Sequence, residues 1–312
     1  MVNMKRILIF LGILLAMGIA ITFYFLSPKD LVYDATKYGV STQNDGLSNS
    51  KNLQALVDLV SKEGGTIYIP SGEYAFAANG SQSIGNHCIK MRSNVSIRGD
   101  GEKTVLMPQG QSDYGLDMFY FNEYLDRGQG VYLENCRFES FVIDAKETSC
   151  LNYTSAGKGF MLNLIRNCHW ANVTVMNTDA TGFGVDCPIN CSITNCTANK
   201  CGKAAGEDSP GASGFGIGYG YAPGEIMEIR DCVSVGNKKF GYFFEHQGRF
   251  DPKRYDLSNQ GQFQVEDCYA EGNLYNFGGI CAQNVTYRKC EGIDARKESV
   301  YFENCVNCHV EN

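Results

Sequence analysis

Proline is scarce, at 7 of 312 residues, and tryptophan occurs once. So little proline argues against a low-complexity chain, and a hydrophobic share of 44% is too high for a disordered one. An excess of basic charge is also missing. Lys and Arg number 27 against 34 Asp and Glu, a net charge of −7. Nucleic acid is thereby excluded as the main partner, because phosphate binding needs a basic face. Dipeptides that close tight hairpins are few, which counts against a meander or a sandwich. Cys187, Cys191, Cys196 and Cys201 lack the C-x-x-C pairs of a structural zinc site, so no metal is expected there.

What is present points to strands. Eighteen Tyr, eighteen Phe and 35 Gly favour strands and turns over helices, and a helical bundle is excluded. The length suits one large domain with a sizeable core. One long apolar run exists, from Ile7 to Leu26 behind Lys5 and Arg6. It is long enough to cross a bilayer as a helix, and the preceding charges send the remainder outward. Residues 1–26 are therefore expected to be a signal anchor or a cleaved signal peptide. Residues 27–312 would form an extracytoplasmic domain, either held to the cell membrane by a single pass or secreted.

A repeat organises the rest. Its form is apolar-x-Asn/Asp-Cys: Leu133 to Cys136, Ile165 to Cys168, Ile193 to Cys196, Ile229 to Cys232, Val265 to Cys268 and Phe302 to Cys305, with Tyr287 to Cys290 as a weaker copy. A second element, Phe-Gly-apolar, recurs at Phe183, Phe215, Phe240 and Phe277. Short period-two strands separated by Asn or Gly bends cannot bury an apolar face alone, so the units must stack. The pattern predicts an all-β solenoid of parallel strands, a β-helix, with the repeat cysteines in one ladder. Parallel strands lie about 4.8 Å apart, whereas a disulfide needs Cβ atoms at about 3.8 Å. Mostly free, buried thiols are expected, with Cys187, Cys191, Cys201 and Cys281 left as possible off-ladder pairs. Cys305-Val306-Asn307-Cys308-His309 matches a haem-attachment signature, but Cys305 is read as the last rung. Asn-x-Ser/Thr sequons, at Asn94, Asn172 and Asn195 among others, are read as solenoid bends.

Ahead of the coils come Tyr33-Asp34-Ala35-Thr36-Lys37-Tyr38-Gly39-Val40 and then Asn44-Asp45-Gly46. An amphipathic stretch follows, with Leu53, Leu56, Val57 and Val60 on one face. The strand Thr66 to Pro70 and the turn Ser71 to Tyr74 complete the segment. This order resembles the N-terminal cap of the pectate-lyase-like superfamily of right-handed β-helices, which includes polygalacturonases, phage tailspikes and mannuronan C5-epimerases. The resemblance implies a cap over residues 31–75 with a short helix, and coils over about 85–312. It also implies a polysaccharide as the partner, bound in a groove along the coils by a monomer or a homotrimer.

The middle of the chain is most similar in order to the epimerases. Where these carry Asp-Pro-His-Glu, this chain reads Asp186-Cys187-Pro188-Ile189, and Phe183 stands in place of a catalytic Tyr. The polygalacturonase motifs are matched by Asn177-Thr178-Asp179, approached by Gly206-Glu207-Asp208, and lose their His in Gly214-Phe215-Gly216. Some lyases of the superfamily use calcium, but no acidic cluster here matches theirs, so no cofactor is expected.

Within that frame the first expectation is lyase or C5-epimerase chemistry on a uronate glycan. His246 or Asp186 would move the proton, and Arg249 would grip the substrate carboxylate, with Lys253 and Arg254 just beyond. The alternative is an inverting glycoside hydrolase using Asp186 and Glu245, or Asp179 and Asp208. If the Phe215 coil separates them, Asp186 and Glu245 stand two strand spacings apart, roughly 10 Å. That suits an inverting pair, at about 6.5–9.5 Å, better than a retaining one at about 5 Å. A non-catalytic glycan-binding or cell-surface protein is the third expectation. The insertion Gly202 to Gly211, which contains Glu207, would wall the groove together with Tyr219 and Tyr221.

Overall fold

The computed structural model describes residues 31–126, 129–206, 208–221, 224–247 and 261–311. The apolar run at 7–26 lies outside the described residues. Among those described, no helix is long and apolar enough to cross a membrane.

The bends are built first, by asparagine. Asn94, Asn135, Asn167 and Asn190 all adopt left-handed backbone, as do Asn195, Asp231, Asp267 and Asn304. Asn tolerates this conformation better than other side chains. Its amides also bond from coil to coil: Asn135 Nδ2 donates to Asn94 Oδ1 at 2.9 Å, Asn167 to Asn135 at 3.2 Å and Asn190 to Asn167 at 2.8 Å. The residue before each repeat cysteine is thus the corner of a coil.

Strands between the corners stack in parallel into two long sheets. One runs through Val95–Arg98, Arg137–Asp144, His169–Met176, Cys191–Thr194, Ile226–Arg230, Gln262–Glu266 and Val285–Arg288. The other, which carries the groove, runs through Leu116–Phe121, Phe160–Arg166, Phe183–Ile189, Phe215–Tyr219, Phe240–His246, Tyr275–Ile280 and Glu298–Glu303. Short strands Thr197–Asn199, Val233–Val235, Tyr269–Glu271 and Glu291–Ile293 stack in parallel alongside the first sheet and join it through His169–Met176. The architecture is a parallel β-helix.

The interior of the groove sheet is an aromatic column. Phe119, Phe160, Phe183, Phe215, Tyr242 and Phe277 stack with ring centroids 5.4, 5.4, 4.8, 4.9 and 5.4 Å apart. Tyr242, not Phe240, occupies the rung beside Phe215. The Phe240-Gly241 pair therefore sits two residues out of register with the other Phe-Gly pairs.

Seven cysteines form two columns instead of one ladder, and Cys305, the expected last rung, stands in neither. Cys136, Cys168 and Cys191 each precede the paired residues Arg137, His169 and Ser192. Cys196, Cys232, Cys268 and Cys290 line up at the next corner, where the N–H of Cys196 donates to Cys232 Sγ and that of Cys232 to Cys268 Sγ, both at 3.4 Å. The single ladder fails because two corners of the same coil share one motif: Asn190-Cys191 turns the first, Asn195-Cys196 the second. All fourteen cysteines are free thiols.

The helix Gly46–Val60 begins at Asp45, whose carboxylate accepts from the Ser48 N–H at 2.7 Å. Leu53, Leu56, Val57 and Val60 are buried and join the core of the first coils. Gly64, with φ of 79°, turns the chain into the strand Gly65–Tyr68.

Candidate functional site

Each stacked aromatic sets the register of its strand, and side chains one and three residues later point out of the sheet. Asp186 follows Phe183 by three and Glu245 follows Tyr242 by three. Asp186 pairs with Gly218, and Gly218 with Glu245, so the two acids share one row with a glycine between them. Two strand spacings put their backbones roughly 10 Å apart. The parallel row one step earlier holds Gly184, Gly216 and Phe243.

Glycine makes the floor. A Cβ on Gly218 would lie 2.2 Å from both Asp186 Oδ1 and Gln247 Nε2, and one on Gly184 would lie 2.6 Å from the Lys158 stem. These side chains fold over the glycines and border a cleft of about 180 Å³ lined by Lys158, Thr181, Asp186, Phe243, Glu245 and Gln247, among others. A second cleft, of about 190 Å³, lies along the same wall and is lined by Asp208, Lys239, Phe240, Phe243, Glu245 and Ile280. Pro210, Gly211, Phe243 and Glu245 border both, so the clefts form one groove.

Asp186 is half-buried. Burial pushes its carboxyl above the ordinary carboxylate range, while Lys158 and the Gly218 N–H pull it back. Gln247 Nε2 donates to it at 3.4 Å, reaching across Gly218. Lys158 is aimed by a deeper acid. Asp117, fully buried, accepts the N–H groups of Gly157 and Lys158 on one oxygen at 2.9 and 2.6 Å. Its own carboxyl is pushed up by burial.

From the insertion, Pro210 and Gly211 line both clefts and Asp208 lines the second. The Pro210 carbonyl accepts from Tyr153 Oη at 2.8 Å and Ser155 Oγ at 3.1 Å, and Lys239 Nζ donates to the Ser209 carbonyl at 3.2 Å. Asp208, exposed, faces the second cleft.

Several expected site residues lie elsewhere. His246 is fully buried with its ring edge-on to Tyr219, centroids 5.5 Å apart. Strand alternation sends Glu245 outward and His246 inward, so this imidazole does not reach the groove. Tyr219 is buried for the same reason, with its hydroxyl at the Gln283 backbone. Asp179 is buried beside Lys203, 3.5 Å from its ammonium, and lines neither cleft. Tyr221 stands at the groove's end, where its hydroxyl donates to the Gln247 carbonyl at 3.1 Å. Glu207, Arg249, Lys253 and Arg254 lie outside the described residues. Among those described, no group of three or more His, Cys, Asp or Glu could hold a metal ion.

Sequence reasoning missed Lys158, Lys239, Phe243 and Gln247. The signal for two of them was in the aromatic column: Phe243 and Gln247 follow Tyr242 by odd steps.

No protein-family model matches the chain, and no curated protein does either. Solved structures do resemble it. The A-module of a mannuronan C-5 epimerase from Azotobacter vinelandii is 18% identical, with a TM-score of 0.53 over 89% of this chain and 72% of the module. An iota-carrageenase complexed to iota-carrageenan fragments is 16% identical, with a TM-score of 0.54 over 84% of this chain and 55% of that one. The tailspike protein of Escherichia coli bacteriophage HK620 is 16% identical, with a TM-score of 0.55 over 83% of this chain and 45% of the tailspike. The chain thus spans about half the length of the last two. At these identities the likeness is one of architecture: the chain shares the right-handed parallel β-helix fold of these structures.

Proposed function

We propose that the protein is a polysaccharide-active enzyme that hydrolyses a glycosidic bond with inversion, with Asp186 as general acid and Glu245 as general base. The observation that carries this reading is the shared row Asp186–Gly218–Glu245. It sets the two acids on strands two spacings apart, nearer the separation of an inverting pair than that of a retaining one. The raised Asp186 carboxyl suits a proton donor. The carrageenase bound to carrageenan fragments and the epimerase module support a glycan substrate for this fold.

Uronate lyase or epimerase chemistry is the second reading, favoured by Lys158 standing in the same cleft as Asp186. Asp186 would then abstract the proton and Lys158 would neutralise the substrate carboxylate. His246 takes no part, because its ring faces the interior. We place the domain outside the cytoplasm, anchored or secreted, on the strength of Lys5, Arg6 and the apolar run behind them.

Pectate, alginate and carrageenan incubated with the full chain decide between these. Hydrolysis gives new reducing ends without unsaturated products, and the first-formed anomer seen by proton NMR is inverted. Asp186→Asn and Glu245→Gln should each lower kcat by about 10²- to 10⁴-fold. Unsaturated ends would favour the lyase reading, and undiminished turnover in both variants would remove the assignment.

A further inference from the structure

Beyond Glu245 the groove changes character. A small apolar cluster, separate from the main core, gathers Phe240, Leu274 and Tyr275, with Phe243 and Tyr301 packed against it. Its rings form a chain: Phe243 on Phe240 at 4.6 Å, Phe240 on Tyr275 at 4.9 Å, and Tyr275 on Tyr301 at 4.6 Å. Phe243 and Tyr301 occupy the same outward row, separated only by Gly278. A Cβ on Gly278 would lie 2.6 Å from the Phe240 ring, so the glycine lets that ring lie flat between the two. Both Phe243 and Tyr301 keep part of their surface exposed, whereas Phe240 and Tyr275 beneath them are buried.

An exposed aromatic held from below by two buried ones is rigid, and a rigid ring face loses little entropy on binding. Pyranose rings present C–H groups on one face, and these meet the electron-rich face of an aromatic ring favourably. Lys239 and Asp208 on the neighbouring wall of the second cleft supply donor and acceptor for the sugar's rim. The Lys158 and Asp186 end of the groove is, by contrast, polar and built on bare glycine.

We infer that Phe243 and Tyr301 form an aromatic binding track for the continuing glycan, with Phe243 stacking on the sugar unit held in the second cleft. This rests on the proposed polysaccharide substrate and specifies its form: a linear oligomer lying along the coil axis. From the Asp186 strand to the Tyr301 strand is four strand spacings, roughly 19 Å, so a disaccharide seated at the acids would not reach Tyr301. Occupant and track are linked by continuity, since Phe243 and Glu245 border both clefts.

The test uses the full chain with Phe243→Trp. The one natural tryptophan, Trp170, is buried in the core and silent to surface binding. Size-graded oligomers of pectate, alginate and carrageenan are titrated while tryptophan fluorescence is read. A saturable change with longer oligomers and none with disaccharides is expected. Tyr301→Ala, which removes a surface ring, should raise KM for long oligomers about tenfold with kcat and short-oligomer KM unchanged. No fluorescence response to any oligomer, or equal KM effects at all lengths, overturns the track. If Asp186→Asn keeps full turnover while Phe243→Trp still reports binding, the hydrolytic assignment fails and the track stands.

Discussion

At the scale of single residues the protein gives up stability to bury a carboxyl. Asp186 is held above the ordinary carboxylate range mainly by burial, and Lys158 restores only part of that cost. Folding therefore favours its protonated form. This contribution is complete below the unfolded-state value and is lost as pH rises through the folded-state value. Asp186→Asn removes the ionisable group, so the variant should melt above wild type at neutral pH, with the gap closing in acid. Thermal unfolding across pH measures it. A variant less stable than wild type at neutral pH would make the carboxylate a structural partner of Lys158.

At the scale of elements the aromatic column is what holds the groove in register. Phe183 lies between Phe160 and Phe215, fully buried. Phe183→Ala should cost about 3–5 kcal/mol by the lost contacts and the cavity left behind, and chemical denaturation will show it. A cost under about 1 kcal/mol would mean that the neighbouring rings collapse into the gap. Much of this element was legible in the sequence, because Phe183 and Phe215 each announce a strand and count three residues to the row of Asp186 and Gly218. The same reading misplaced Phe240, since a Phe-Gly pair two residues out of register looks identical in one dimension. It also drew His246 and Tyr219 into the groove. Neighbouring charge made His246 attractive and the preceding insertion made Tyr219 so, but strand alternation decides which face a side chain takes. The two thiol columns were merged for a similar reason, one motif serving two corners.

At the scale of the whole molecule, a stack of coils protects its interior and exposes its ends. Nine of the fourteen thiols are buried, and the other five are Cys150, Cys281, Cys290, Cys305 and Cys308. Burial pushes thiols such as Cys187 and Cys232 well up, whereas the neighbouring Cys308 holds Cys305 down to about 7. Only the thiolate attacks an alkylating reagent. Labelling of the native protein at neutral pH should thus be confined to the half-exposed five, with Cys305 first, as peptide mass spectrometry will show. Rapid labelling of Cys196 or Cys232 would mean that the stack opens in its middle.

The strand ladder also acts as a ruler with a single graduation. Because Asp186, Gly218 and Glu245 fall on consecutive rungs, the gap between the acids can change only by whole coils. Excision of the one coil that carries Gly218 would seat the two carboxyls on adjacent rungs, at about 5 Å, the distance at which a glycosidase forms a covalent sugar ester. On the proposed hydrolytic reading, stereochemical outcome is a matter of counting turns, and a single duplication or loss of a repeat would switch it without altering either acid.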